Sequence, residues 1–287
     1  MKLGVSTYSL YNAIQNGQLD VLGALEWLKE QGAEHAEIVP LGFDLLDDSQ
    51  LAEDIRAKAE EIGLELSNYC IGANFAGLDE AAFEAEVKRV QAHVDVAHRL
   101  GVKLMRHDVA SRPHAMTGTE YFEQDFPQLV EACQRVADYA LQYGITTSVE
   151  NHGFYLQASE RVRRLVLAVN RPNFKTTLDV GNFICVDEPS LYAVQQNLPY
   201  ASMVHLKDFY IRPANYNPGE GWFNSLHGQH LRGAIVGQGD LPISDIIQVV
   251  KNNGYDGYFS IEFEGMEDCL QATRIAIANA RRLWEQA

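Results

Sequence analysis

Short runs of β-branched and apolar residues alternate along the chain with longer amphipathic stretches. Strands are predicted at Leu3–Tyr8, His35–Val39, Leu64–Ile71, Lys103–Asp108, Thr146–Glu150, Lys175–Asp179, Met203–Leu206 and Tyr258–Glu262. Helices are predicted near 20–31, 48–62, 80–100, 121–143, 159–170, 190–197, 242–253 and 268–286. Strand runs separated by helical stretches indicate βα units and a parallel sheet. Gly32, Gly63, Gly101, Gly144 and Gly254 each follow a helical stretch and precede a strand, where a left-handed residue closes a helix. Asp20, Asp79 and the pair Ser244-Asp245 stand near helix starts, where a side-chain oxygen caps free N–H groups.

Eight strand–helix units predict a single closed (β/α)₈ barrel spanning 1–287. An open doubly wound sheet is the competitor, and it would place a glycine-rich phosphate loop after the first strand. Here that strand ends Ser6-Thr7-Tyr8-Ser9-Leu10. Gly237-Gln238-Gly239 lies in a long loop and reads as a turn. The segment 208–240 is rich in Asn, Gly, Pro and aromatics such as Tyr216, Trp222 and Phe223. It follows the seventh strand and is expected over the catalytic face, as a lid, an oligomer contact or a disordered stretch.

Composition narrows the partners. Hydrophobic residues make up 46% of the 287, enough for a substantial core. No apolar run is long enough to span a bilayer, and the first residues carry no long apolar signal core. The protein is expected to be cytoplasmic. Cys70, Cys133, Cys185 and Cys269 are far apart with no Cys-x-x-Cys pair, which argues against a thiolate metal site or a disulfide framework. The net charge of −16 repels phosphate backbones, so the expected partner is a small molecule rather than nucleic acid or membrane. A homo-oligomer is compatible with the sequence.

The chemistry is concentrated at the strand ends, where barrels of this type build their active sites. The fifth strand ends Val149-Glu150-Asn151-His152, the sixth Leu178-Asp179-Val180-Gly181-Asn182, the seventh Val204-His205-Leu206-Lys207-Asp208 and the eighth Ile261-Glu262-Phe263-Glu264. One strand-end carboxylate is usually a cap or a rim charge; four candidate ligands on consecutive strands are a different matter. Three converging carboxylates repel each other unless a cation lies between them. Three oxygen donors and one nitrogen suit one divalent ion of octahedral habit, Mn²⁺ best, then Mg²⁺, Co²⁺ or Fe²⁺. Zinc more often takes Cys and His in a tetrahedron.

These motifs, with Val236-Gly237-Gln238-Gly239-Asp240, resemble the xylose-isomerase-like TIM barrel superfamily over nearly the whole chain. More narrowly, they resemble its sugar phosphate isomerase/epimerase family, which includes ketose 3-epimerases and inosose dehydratases. The resemblance implies a Mn²⁺-type site at Glu150, Asp179, His205 and Glu262. It also implies that Glu150 and Glu262 double as the catalytic acid/base pair. The physics agrees, because the fifth and eighth strands flank the sixth and seventh and would set the two glutamates on opposite sides of a substrate. A cation there would stabilise the enediolate left when a C–H proton departs. Return of the proton to the opposite face gives an epimerase, return to a neighbouring carbon an isomerase, and loss of a β-hydroxyl a lyase.

His107, His152, Lys207, Arg232 and Glu37 are the candidate substrate contacts. Each has an ordinary alternative: a structural histidine, a backbone-bonded loop residue or a solvated surface charge. Tyr8, Asn68 and Tyr69 fit wall packing equally well, and Glu264 is expected outside the ligand set. Many relatives carry a histidine shortly after the sixth-strand aspartate, where this chain has Asn182. The sequence therefore supports a sugar isomerase or epimerase acting on a polyhydroxylated carbonyl compound. A keto-inositol dehydratase or 3-keto-glycoside-eliminating lyase is the alternative, and a non-catalytic sugar-binding barrel stands behind both.

Overall fold

A computed structural model describes residues 1–287. Eight parallel strands close into a barrel: β1 (Lys2–Ser6), β2 (His35–Ile38), β3 (Glu65–Ile71), β4 (Leu104–His107), β5 (Thr146–Glu150), β6 (Phe174–Asp179), β7 (Ala201–Leu206) and β11 (Tyr258–Ile261). Between β7 and β11 the chain makes β8 (Asp208–Arg212), β9 (Phe223–Asn224) and β10 (His230–Ala234). The helices are α1 (Tyr11–Gln15), α2 (Val21–Glu30), α3 (Ser49–Ile62), α4 (Glu80–Leu100), α5 (Thr119–Ala140), α6 (Ser159–Val169), α7 (Ser190–Asn197), α8 (Ile243–Asn252) and α9 (Cys269–Gln286). None is long and apolar enough to cross a membrane. The closed barrel agrees with the expected fold class.

All five glycines expected to end helices have positive φ, as at Gly101, where φ is 78° and the N–H bonds back to Ala97 and His98. Asp20 and Asp79 cap α2 and α4, accepting the N–H of Gly23 and Ala82. Ser244 and Asp245 do not cap: they lie inside α8, which begins after Pro242 without a side-chain cap. Asp245 instead puts a negative charge in the first turn, where the helix dipole favours it.

The strand register shows which side chains enter the barrel, because residues paired across parallel strands share a face. Arg106 pairs with Ser148, Glu150 with Thr177, Asp179 with His205, and His205 with Ser260. The alternate positions Met105, Val149, Leu178, Val204 and Ile261 point outward and are fully buried under the helices. The apolar core is therefore the layer between barrel and helices, and each buried Leu or Ile there contributes about 1.5–3 kcal/mol. Inside the barrel the lining is polar, which is unusual for a packed interior and marks where the chemistry lies.

The segment 208–240 differs from the irregular loop expected. β8 pairs antiparallel with β10, and β10 with β9, in a small sheet that branches off the end of β7. Asp208 is the pin of this branch. Its buried carboxylate accepts the N–H groups of Phe209, Gly237, Gly239 and Leu241. Asp187, after β6, holds the far end through Ser225, His227 and Gln229.

Candidate metal centre

Glu150, Asp179, His205 and Glu262 are all buried at the C-terminal mouth of the barrel. One ligand-type atom from each lies within 4.8 Å of the others. His205 Nδ1 is 3.8 Å from Glu150 Oε1, 3.9 Å from Asp179 Oδ2 and 3.6 Å from Glu262 Oε2. These separations are too long for hydrogen bonds and leave room between the donors. His205 Nδ1, Glu150 Oε2, Asp179 Oδ2 and Glu262 Oε2 have no hydrogen-bond partner although they are buried. All three of these oxygens have a cation nearby: Lys207 Nζ lies 2.7 Å from Glu262 Oε2 and 3.4 Å from Asp179 Oδ2, and Arg106 Nε 2.9 Å from Glu150 Oε2. None of these ion pairs is a hydrogen bond, so they screen charge without satisfying the lone pairs. The donor set thus fits a cation on its own geometry: the cluster can bind a metal.

Local folding aims each donor. Asn151 closes the end of β6 like a short strand, accepting the N–H of Asp179 at 2.9 Å and donating to its carbonyl at 2.8 Å. Asp179 Oδ1 then accepts from Gly181 and Asn182, which turns Oδ2 to the centre. Gly181 is required by proximity: a Cβ there would sit 2.8 Å from the Lys207 carbonyl oxygen. On the other side of the ring, His205 Nε2 is 2.9 Å from Glu37 Oε2 on β2. A carboxylate on the remote nitrogen fixes the tautomer and leaves Nδ1 free as a ligand.

Electrostatics follow from burying many charges together. Burial pushes the Asp179 carboxyl up, and Glu262 and Glu150 add to this against the pull of Lys207. Burial acts on Glu262 in the same sense, but the Lys207 and His205 cations outweigh it and hold that carboxyl well below the usual range. The His205 imidazole is raised: burial opposes its charge, and the Glu37, Glu262 and Glu150 carboxylates more than compensate. Without a cation it is therefore the Asp179 carboxyl and the His205 imidazole that hold their protons more tightly than usual.

The fold agrees with what the comparisons show. A model of the xylose isomerase-like TIM barrel family matches residues 25–286. The chain belongs to that family. It is 23% identical over 203 residues to an inosose dehydratase of Geobacillus thermodenitrificans, a match covering 66% of this chain and 66% of that protein. The match thus spans just under two thirds of the relative's length. Among solved structures, the fold resembles a 3-keto-D-glucoside 4-epimerase of E. coli at TM-score 0.75 and 18% identity, covering 98% of this chain and 99% of that one. A D-psicose 3-epimerase of Clostridium cellulolyticum H10 gives TM-score 0.75 at 18% identity, covering 99% of each. At this identity the two structures speak for the fold alone.

The remaining candidates divide. Lys207 is brought in: its buried ammonium lies 3.4 Å from Asp179 Oδ2 and 3.3 Å from Glu264 Oε2 and donates to Asn182 Oδ1. His152 stands half-exposed at the mouth with Nδ1 3.5 Å from Asp108 Oδ1, on the wall of a cavity of about 260 Å³ above the cluster. Glu264 lines the same cavity outside the four-ligand set.

Three candidates are placed elsewhere. Glu37 does not face the mouth; it lies beneath His205, fully buried. His107 points out of the barrel, one residue past the inward Arg106. It is packed near Phe75 and Phe174 with Nδ1 on the Asp108 carbonyl oxygen. Arg232 lies on β10 over the rings of Tyr210 and Trp222, 3.7 Å from Glu267, and lines no part of the cavity.

Of two further site residues, Arg106 escaped the sequence reading and Asn182 entered it only as a departure from many relatives. Arg106 enters the barrel beside Glu150 and also reaches Asp108. The two-residue period of β4 sets Arg106 and His107 on opposite faces, and the pairing with β5 makes Arg106 the inward one. Asn182 donates to Glu150 Oε1 at 3.0 Å and accepts from Lys207, bridging the two ends of the cluster. Its neighbours in space lie on β5 and just after β7, so no spacing in the chain reveals it.

Proposed function

We propose that this chain is a divalent-metal-dependent sugar isomerase or epimerase that moves a proton on a carbon beside the carbonyl of a ketose or keto-sugar. The observation that carries this reading is the set of four buried donors whose inward atoms lack hydrogen-bond partners. Buried polar atoms are normally satisfied, so four aimed at one point call for a cation. Three oxygens and one nitrogen favour Mn²⁺, with Mg²⁺, Co²⁺ and Fe²⁺ as further options. A divalent cation held there supplies Lewis acidity, which eases loss of a proton next to a carbonyl.

The chain's own residues do the remaining work. Glu150 on β5 and Glu262 after β11 flank β6 and β7 in the barrel order, so they approach a substrate from two sides. One carboxylate removes the C–H proton and the other delivers one to the opposite face or to the next carbon. Lys207 and His205 keep Glu262 ionised, as a base requires. Arg106 and Lys207 offer donors to substrate hydroxyl and carbonyl oxygens. His152 and Asp108 form the outer wall of the cavity.

A second reading, a lyase, is favoured by one observation. His152 is half-exposed beside Asp108 at the mouth, where an imidazole can protonate a departing hydroxyl. The inosose dehydratase relative carries a name of that kind. Proton NMR in D₂O on ketoses, keto-inositols and 3-keto-glycosides, with Mn²⁺ added and Glu262→Gln as control, separates the readings. Deuterium entering one carbon with mass otherwise conserved supports the isomerase or epimerase. An eliminated product supports the lyase. No change in any substrate would sink both.

A further inference from the structure

The cavity above the cluster does not end at the ligand set. Val39, Leu41, Cys70, Ile71 and Gly72 line it and also line a second cavity of about 300 Å³ beside it. This side cavity lies between the loop after β2 and the start of the connection after β3. Pro40, Phe43, Leu45 and Leu46 form its apolar wall. Pro40, Phe43 and Leu46 are only half-buried, so apolar surface faces the space uncovered.

The donors around this cavity are already engaged with neighbouring groups. Arg89 is held by both carboxylate oxygens of Glu86 at 2.8 Å and donates to the Gly72 carbonyl at 2.7 Å. Arg89 also meets His93 Nε2 at 3.1 Å, and His93 Nδ1 meets the Tyr69 hydroxyl at 2.8 Å. Asp44 Oδ1 accepts the N–H groups of Leu46 and Asp47, and the residue is exposed at the cavity's outer edge. A phosphate needs free donors, but Arg89 and His93 are engaged with Glu86, Gly72, Tyr69 and each other, and the remaining charged group, Asp44, repels an anion. Apart from these groups, what the wall leaves uncovered is hydrocarbon.

We propose that the side cavity is a substrate subsite for an apolar, aryl-sized substituent carried by the carbonyl-bearing ring. The inference rests on the proposed enzymatic reading of the cluster and narrows its substrate class, from free ketoses to ring compounds with an apolar appendage. The reacting ring occupies the mouth over Glu150 and Glu262. The substituent passes the shared wall at Ile71 and Gly72 and rests against Phe43 and Leu46. The mouth cavity alone is small for a ligand site, and the two together reach the ordinary size of one.

The test is equilibrium binding of paired ligands, a phenyl and a methyl 3-keto-glucoside, to the Mn²⁺-loaded full-length protein. The phenyl compound is expected to bind at least about tenfold tighter, the effect of burying one aromatic ring. Leu46→Trp fills the cavity and should erase that preference, leaving affinity for the methyl compound and for Mn²⁺ unchanged. Phe43→Ala removes wall surface and should reduce the preference several-fold, which guards against misfolding of the tryptophan variant. Equal affinities in the wild type, or variants that weaken both ligands alike, would overturn the subsite. A phenyl preference without chemical change in either ligand would uphold the subsite and remove the isomerase reading. Turnover of both ligands without a preference would do the reverse.

Discussion

At the scale of single residues, two buried groups make opposite electrostatic demands. Burial presses the His107 imidazole down to about 4 from the ordinary 6.5. Below 6.5 the unfolded chain takes a proton that the folded chain refuses. Stability therefore falls as pH drops from 6.5 towards 4, by about 1.4 kcal/mol per unit from this group, and levels off below. His107→Leu should flatten the urea-denaturation stability profile between pH 6 and 5 by about that slope. An unchanged profile would show that the ring is not buried neutral. Glu37 raises the charge on His205 and orients it. Glu37→Gln should weaken Mn²⁺ binding by about 10–100-fold while the far-UV spectrum stays native, since carboxylates behind a ligating histidine have effects of that size.

At the scale of elements, the β8–β10 sheet depends on one side chain. Asp208 serves four backbone N–H groups in a buried turn. Asp208→Ala leaves them unsatisfied, at about 1–3 kcal/mol for each group that water does not reach. Hydrogen exchange should then accelerate at Gly237, Gly239 and Leu241, with β5 and β6 still protected. Uniform acceleration would mean instead that the sheet and barrel unfold together. This turn also shows why the segment 208–240 was misread as irregular. Its strands are short, and their pairing joins Asp208 to Ala234 across a stretch with no period of its own. By contrast, the helix-closing glycines and the Asp20 and Asp79 caps were legible, because each acts within four residues of itself.

At the scale of the whole molecule, the proposed cation would be linked to the fold. Asp179 and His205 are raised without a cation, so binding one must displace protons. Mn²⁺ affinity should weaken as pH falls, and calorimetry in buffers of different ionisation enthalpy should report proton release. A hundredfold excess of ion over its dissociation constant should stabilise the fold by about 2.7 kcal/mol, seen as a raised Tm that EDTA reverses. In Glu262→Gln the shift should shrink or vanish. An equal shift in that variant would place the ion elsewhere.

The chain by itself determined what depends on neighbours in sequence. The alternation of strands and helices, the closing glycines and the placing of Glu150, Asp179, His205 and Glu262 at four successive strand ends all follow from local pattern and known barrel topology. Only the tertiary structure decided which face each side chain presents. Arg106 lies inside the barrel and His107 outside because β4 pairs with β5 in one register and not the next. Glu37 serves His205 because β2, three strands from β7 around the closed barrel, points its carboxylate across the interior. Asn182 joins Glu150 to Lys207 because the turn after β6 folds over the cluster. These contacts link residues up to 168 positions apart. They form only when the sheet closes on itself, and no local period encodes them.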